Sequence, residues 1–365
     1  MTSSSASAPV DTPSPPARRL LPLDTLESLL LSLGALIVAC LLFGAFVALQ
    51  GIDPIAVYRT LYLGAFGTRF SIENTLTQAA PLFLTALCTL IPARVGLLVI
   101  GGEGAVVLGG LGAVLAAVAL PGAPPMLGTI ITIAAGGLMG GLWIAAAGAL
   151  KNVRGVNETI ATLLMNYIAI AIFYHLISGP IRDFSQTLKA QSWSIPQQFA
   201  TANIPGLSVH WGLAIGLVVC VLLHFMLRHT TLGFSMEVLG GNRRAAQMAG
   251  LPIGKLMLLA CFLGGAAAGV AGSIEIVAVH GAASESLIVG YGYAGILVAF
   301  LARQNALAVI FVALLLGGIS ASGGLLQRRF DMPYAATTVL QGLIFVCVLA
   351  SNTFAGRLLT GRRDL

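Results

Sequence analysis

Long apolar runs without a charge recur along this chain, and no other feature restricts its folding as strongly. Leu29 to Leu49 is the first, uncharged throughout, and it matches the roughly 20 residues a helix needs to cross the bilayer core. Barrel strands would alternate apolar and polar residues, whereas these runs are continuous, so the spans are helices. With 57% hydrophobic and only 9% charged residues, the chain carries far more apolar surface than a soluble core can bury; about a quarter of an average soluble domain is charged. The expected fold is an all-α polytopic membrane protein of about ten transmembrane helices.

Taken in order, residues 1–28 are Ser/Pro-rich and read as a disordered cytoplasmic tail. Arg18 and Arg19 precede the first run without a convincing cleavage site, so an uncleaved span is expected. An amphipathic segment near Pro54 to Tyr62 is expected to lie along the outer surface. The second run, Thr77 to Leu98, contains Pro81, Pro92 and Arg94 and should break or end early. Further spans follow over Gly104–Leu120, Met126–Leu150, Thr159–Ser178, Trp211–Leu227 and Leu256–Val279. Gly136, Gly137, Gly140 and Gly141 form overlapping GxxxG patterns, a signal for close helix packing. Ser286 to Ala302 is less apolar and reads either as a full crossing or as a re-entrant half-helix. Asn305–Ser320 and Ala335–Ala350 complete a membrane domain over 29–351, and 352–365 form a second tail.

The formal charge of +6 does not indicate nucleic acid, because Lys and Arg stand singly or in pairs at the ends of apolar runs. With both termini cytoplasmic, thirteen of the nineteen basic residues fall inside, as the positive-inside rule favours. The five cysteines lie within apolar runs, have no metal spacing and read as packing residues.

Few polar residues interrupt the runs. Glu103 is the acid nearest an apolar environment; it reads either as a functional carboxylate or as an interfacial one, helped by a helix dipole and paired with Arg94. Asn157 and Glu158 have the chemistry of a helix start. Thr162, Asn166 and Tyr167 place hydrogen-bonding groups where lipid offers none, and they suit interhelical contacts or a polar path equally. Tyr291 and Tyr293 read as interfacial belt aromatics or as pore lining, and His175 and His280 as interfacial. No HExxH, GxSxG or GxxxxGK[ST] motif occurs. An intramembrane enzyme has no visible catalyst, and an ion-driven transporter would show more acids in mid-span.

One polar stretch stands apart. SMEVLGGNRRAAQMAGLPI, Ser235 to Ile253, reads as a short helix outside the membrane, with Asn242 as N-cap, Gly250 just past the end and Pro252 forbidding continuation. Arg243, Arg244 and Gln247 share one side, opposite a smooth face of Ala245, Met248 and Ala249. Such a helix, within a loop over 228–255, is suited to docking.

Three blocks now carry a resemblance: GLLVIGGEGAVVLGG (Gly96–Gly110), VNETIATLLMNYIA (Val156–Ala169) and LGGNRRAAQMAGLPI (Leu239–Ile253), with a weaker fourth in GYGYAGILVAFLARQNALAV (Gly290–Val309). Together they resemble the permease subunits of ABC importers for simple sugars and nucleosides, a branch that includes ribose-type and branched-chain amino acid permeases. The second block is most similar to the nucleoside branch. Val99, Ala105 and Ala294 stand where relatives often carry Asn, Gln and Asp.

The resemblance implies that the docking helix couples to an ATPase, with Gly240, Asn242, Ala245, Ala246 and Gly250 setting its shape. Glu103, Thr162, Asn166, Tyr167, Tyr291 and Tyr293 become candidate path residues. It implies a nucleoside as solute, with a simple sugar next and an ion-coupled transporter as the alternative outside the family. Implied partners are an ATP-binding subunit, a related second permease in a heterodimer, an extracytoplasmic binding protein and the lipid bilayer of a bacterial cytoplasmic membrane. The chain itself would bind no cofactor and make no covalent bond, with ATP and Mg held by the ATPase.

Overall fold

The computed structural model describes residues 21–185 and 189–354. Within them lie thirteen α-helices and no strand. They are α1 (Leu21–Leu49), α2 (Pro54–Phe66), α3 (Arg69–Ala93), α4 (Gly102–Ala119), α5 (Pro125–Arg154), α6 (Glu158–Ser178) and α7 (Gly212–His229). After these come α8 (Thr231–Gly241), α9 (Arg243–Met248), α10 (Ile253–Ile274), α11 (Tyr291–Leu301), α12 (Ala306–Phe330) and α13 (Ala335–Phe354). Seven helices are long and apolar enough to cross a membrane, or eight if α1 and α2 form one bent span. The shorter apolar stretches Glu285–Leu301 and Ala335–Ser351 complete the expected set of ten apolar segments. The chain is a multi-pass, all-α membrane protein.

Residues 1–20 and 355–365 of the expected tails lie outside the described residues. Helix α1 already begins at Leu21, with Pro22 in a first turn whose amides need no intrahelical acceptor. The segment expected along the surface is instead α2, bent 118° from α1. It is capped by Asp53, which accepts from the Ile55 amide. Helix α2 packs on α12 through Val57, Leu61, Gly64 and Ala65, because its small residues permit a close approach that a surface helix would not use.

Helix α3 is the central post, touching α7, α10, α11 and α12. Every residue from Ala79 to Pro92 is buried, and all but Thr85 and Thr89 are apolar. It starts earlier than the apolar run does, at Arg69, because Thr68 caps it by accepting from the Ser71 amide. Both prolines are accommodated: Pro81 lies inside the helix, and Pro92 lies one residue before its end.

The GxxxG patterns of α5 meet the glycines of α10. A Cβ at Gly140 would come 2.6 Å from the Gly265 carbonyl oxygen, so these backbones touch directly. The five cysteines are unbonded; Cys88, Cys220 and Cys261 are buried as packing residues.

One apolar helix of the bundle is too short to cross. Helix α11 has 11 residues, about 16 Å at 1.5 Å per residue, roughly half the 30 Å core. The Ser286–Ala302 segment is therefore a half-helix. Helix α4 is also reached by irregular chain: after α3, residues 95–101 turn back into the bundle without helix. Unpaired backbone is costly there, and threonines satisfy it. Thr89 donates to the Val99 carbonyl at 3.2 Å, Thr159 to Leu98 at 3.1 Å, and Thr162 accepts from the Ile100 amide at 3.2 Å.

At the bundle end bearing α9, Arg94, Lys151, Arg228, Arg243 and Arg303 gather around two cavities, as the charge pattern requires. At the opposite end, the loop from Gly179 to Trp211 is fastened to the segment leading into α11. The Ser192 amide donates to the Ala283 carbonyl, Ile195 to Gly281 and Thr201 to Val277.

Candidate solute path

Helix α4 and the half-helix α11 meet start to start. Their N-terminal amides carry partial positive charge, and Glu103, in the first turn of α4, lies between them. Its carboxylate accepts from the Gly290 amide at 2.8 Å and the Gly292 amide at 2.6 Å. It is completely buried. The expected pairing with Arg94 is not formed; Arg94 donates to the Gln304 carbonyl at 2.7 Å, at the end of the bundle. Glu103 thus caps α11, which has no side-chain cap of its own. Gly292 allows this: a Cβ there would collide with the Glu103 backbone. Gly290 supplies the turn, with φ of +92° that glycine tolerates.

Asn166 extends the same junction. From α6 its Oδ1 accepts the Gly104 amide, and its Nδ2 donates to the Tyr293 hydroxyl at 2.5 Å. One asparagine thereby fixes α4, α6 and α11 together. Thr162, one turn earlier and also buried, holds the irregular approach to α4. Tyr167 takes no part in this junction and is 61% exposed on α6.

Beside the junction lies a cavity of about 200 Å³ between α3, α11, α12 and α13. Tyr291 and Tyr293 line it, joined by Gln78, Ser320, Tyr334 and Gln341, so the two tyrosines are cavity groups rather than belt aromatics. The Tyr291 hydroxyl donates to Gln78 Oε1 at 2.9 Å. Gln341 donates to the Ser320 hydroxyl at 2.9 Å and to the Leu316 carbonyl at 3.1 Å. No charged side chain lines the cavity. Ala294 contributes only a methyl group to the lining, and Val99 and Ala105 are buried elsewhere. Gln78 and Gln341 were not singled out by sequence, although an amide within an apolar run was the signal that would have marked them.

The docking stretch forms two helices rather than one. Helices α8 and α9 hinge at Asn242, whose extended backbone breaks the run. Its side chain caps α9 by accepting from the Arg244 and Ala245 amides at 2.9 and 3.2 Å. Gly250 has φ of +71° just past the helix, as its placement required. Arg243, Arg244 and Met248 are exposed and Ala245 half-buried, but Ala246 is fully buried within the chain's own core and belongs to no outward face. Gly240 is pressed on the end of α3, where a Cβ would collide with the Arg94 carbonyl. Motion of α8 and α9 would therefore reach α3 and the segment entering α4.

The extramembrane loop has its own electrostatics. Hydrogen bonds from the Ser185 amide and hydroxyl hold the Asp183 carboxyl below the usual range. Burial lowers the pKa of His210, whose two ring nitrogens have no hydrogen-bond partner.

A half-helix capped by the first turn of a neighbouring span, beside an uncharged polar cavity in a membrane bundle, is the construction of a solute permease. The chain belongs to the family described as the permease component of branched-chain amino acid transport systems, whose model matches residues 71–349. It is 29% identical to the guanosine ABC transporter permease protein NupP of Bacillus subtilis, over 92% of this chain and 97% of that one. It is 28% identical to the glucose ABC transporter permease protein TsgB13 of Haloferax volcanii, over 85% and 84% of the two chains. With the nucleoside ABC transporter permease protein NupB of Lactococcus lactis the identity is 26%, over 83% and 86%.

Proposed function

We propose that this chain is the membrane half-channel of an ABC importer for nucleosides, coupled through α9 to a separate ATPase. The observation that carries the solute class is the cavity beside Glu103. Its aromatic faces and amides suit a neutral, planar, hydrogen-bonding solute. A zwitterionic amino acid needs a countercharge for each end. The half-helix amides that could hold its carboxylate are taken by Glu103, and no side chain in the lining carries charge. Relatives named for guanosine and nucleosides support the same reading.

In this reading ATP closes the ATPase pair, α9 is displaced, and Gly240 pushes on the end of α3. The segment 95–101 and the Glu103 junction then move with it, reshaping the cavity. Arg243, Arg244 and Met248 offer the docking surface, while Asn242, Ala246 and Gly250 hold α9 in shape. A second, related permease completes the path, and an extracytoplasmic binding protein delivers solute to the end bearing loop 179–211. In this reading α9 and both termini lie in the cytoplasm of a bacterium. ATP and Mg stay on the ATPase, and the permease makes no covalent bond.

The test is gentle purification of the tagged chain from its native membrane, followed by reconstitution with whatever subunits accompany it. ATP-dependent uptake of guanosine or uridine, unaffected by excess leucine, is expected. Leucine uptake in place of nucleoside uptake would overturn the solute class. Solute movement by the chain alone, without ATP, would overturn the coupling.

A further inference from the structure

Beside α8, a cavity of about 390 Å³ opens among the ends of α3 and α7 and the turn joining α11 to α12. Arg94, Arg228, Arg303 and His224 line it, with Glu237 as the single carboxylate, so positive charge is in excess. Asn305, capping α12, sets the positive end of a 25-residue helix at the same place. The site is built under constraint. Arg303 and Gln304 hold successive left-handed conformations, φ of +49° and +58°, which non-glycine residues adopt at a cost. Arg94 secures that turn through the Gln304 carbonyl, yet its Nε is buried without a partner. Gln304 Oε1, in the same lining, is likewise buried without a partner, and an unpaired donor and acceptor beside concentrated positive charge suit an anionic ligand that also carries hydroxyl groups.

Helix α7 indicates where the ligand comes from. Val218, Val221 and Phe225 are exposed, and with Arg228 they follow i+3 and i+4 spacing. An apolar stripe thus leads along the membrane face of α7 to the basic cavity. We propose that the cavity binds the phosphodiester headgroup of an anionic phospholipid, with its acyl chains laid along that stripe. Arg228 and Arg303 would grip the phosphate, and Arg94 would link its occupancy to the turn below α11. The inference does not depend on the transported solute.

The experiment is native mass spectrometry of the delipidated, purified protein titrated with phosphatidylglycerol or phosphatidylcholine. One phosphatidylglycerol is expected to bind preferentially. In the double variant Arg228→Gln/Arg303→Gln its affinity should fall about thirtyfold, at about fivefold per arginine, and Arg228→Lys/Arg303→Lys should retain most of it. Matching size-exclusion profiles and melting temperatures establish that the variants are folded. Equal binding of the two lipids, or no change in the glutamine variant, overturns the proposal. Displacement of the lipid by millimolar inorganic phosphate would assign the site to a soluble anion instead. Loss of ATPase association in the glutamine variant, without loss of lipid, would make the cavity a protein contact and equally overturn it.

Discussion

Asn166 shows what a single polar residue does inside a membrane bundle. On sequence alone Asn166 suits an interhelical contact and a solute path equally; in the fold it makes the interhelical contact, and its partner Tyr293 lines the cavity. Asn166→Leu leaves the Gly104 amide and the Tyr293 hydroxyl unpaired, at about 1–3 kcal/mol for such a loss. The expected outcome is a lower melting temperature together with a severalfold rise in KM for uptake. An unchanged KM would confine Asn166 to a structural role. His210 is a second residue whose partners decide its behaviour. Burial holds its folded pKa below the ordinary value near 6.5, so between those two values the unfolded chain binds more protons than the folded one. Stability is then complete above about pH 6.5 and declines as pH falls toward the folded pKa. Melting temperatures measured from pH 7.5 to 5.5 should fall in the native protein, and by less in His210→Gln.

At the scale of elements, α8 meets the end of α3 at Gly240. Gly240→Val would force α8 and α9 away from the Arg94 carbonyl. The expected result is an importer that still hydrolyses ATP but whose uptake falls at least tenfold; parallel loss of both activities would point to misfolding instead. Met248, 84% exposed on α9, separates docking from folding. Met248→Glu should abolish ATPase co-purification at unchanged permease stability, whereas Ala246→Glu should lower stability first, because it buries a charge. Sequence placed the cap at Asn242 and the stop at Gly250 correctly, since capping is local chemistry. The hinge between α8 and α9, and the side on which Ala246 lies, depend on what α9 packs against, and no short-range signal encodes that.

Across the whole molecule, the bundle is held at glycine crossings, with α5 on α10 the most extensive contact. Gly140→Leu would have to push touching backbones apart and is expected to remove folded protein from the membrane. Gly122→Ala, where a Cβ meets nothing within 4 Å, should leave the melting temperature nearly unchanged. Quantitative blotting of membranes with a thermal-shift assay checks both.

The sequence by itself determined the solvent, the helical class, the ten apolar segments and the gathering of basic residues at one end. Each of these follows from hydrophobicity and charge summed along the chain, and the bilayer reads those sums directly. It also supplied Glu103, Asn166 and the tyrosines as candidates, since a polar group at membrane depth is conspicuous by its cost. Only the tertiary structure decided that Glu103 caps α11 instead of pairing with Arg94, that α2 folds back onto α12, and that Gln78 and Gln341 meet Tyr291 across one cavity. Those outcomes rest on contacts between residues far apart in the chain, where packing selects the partners.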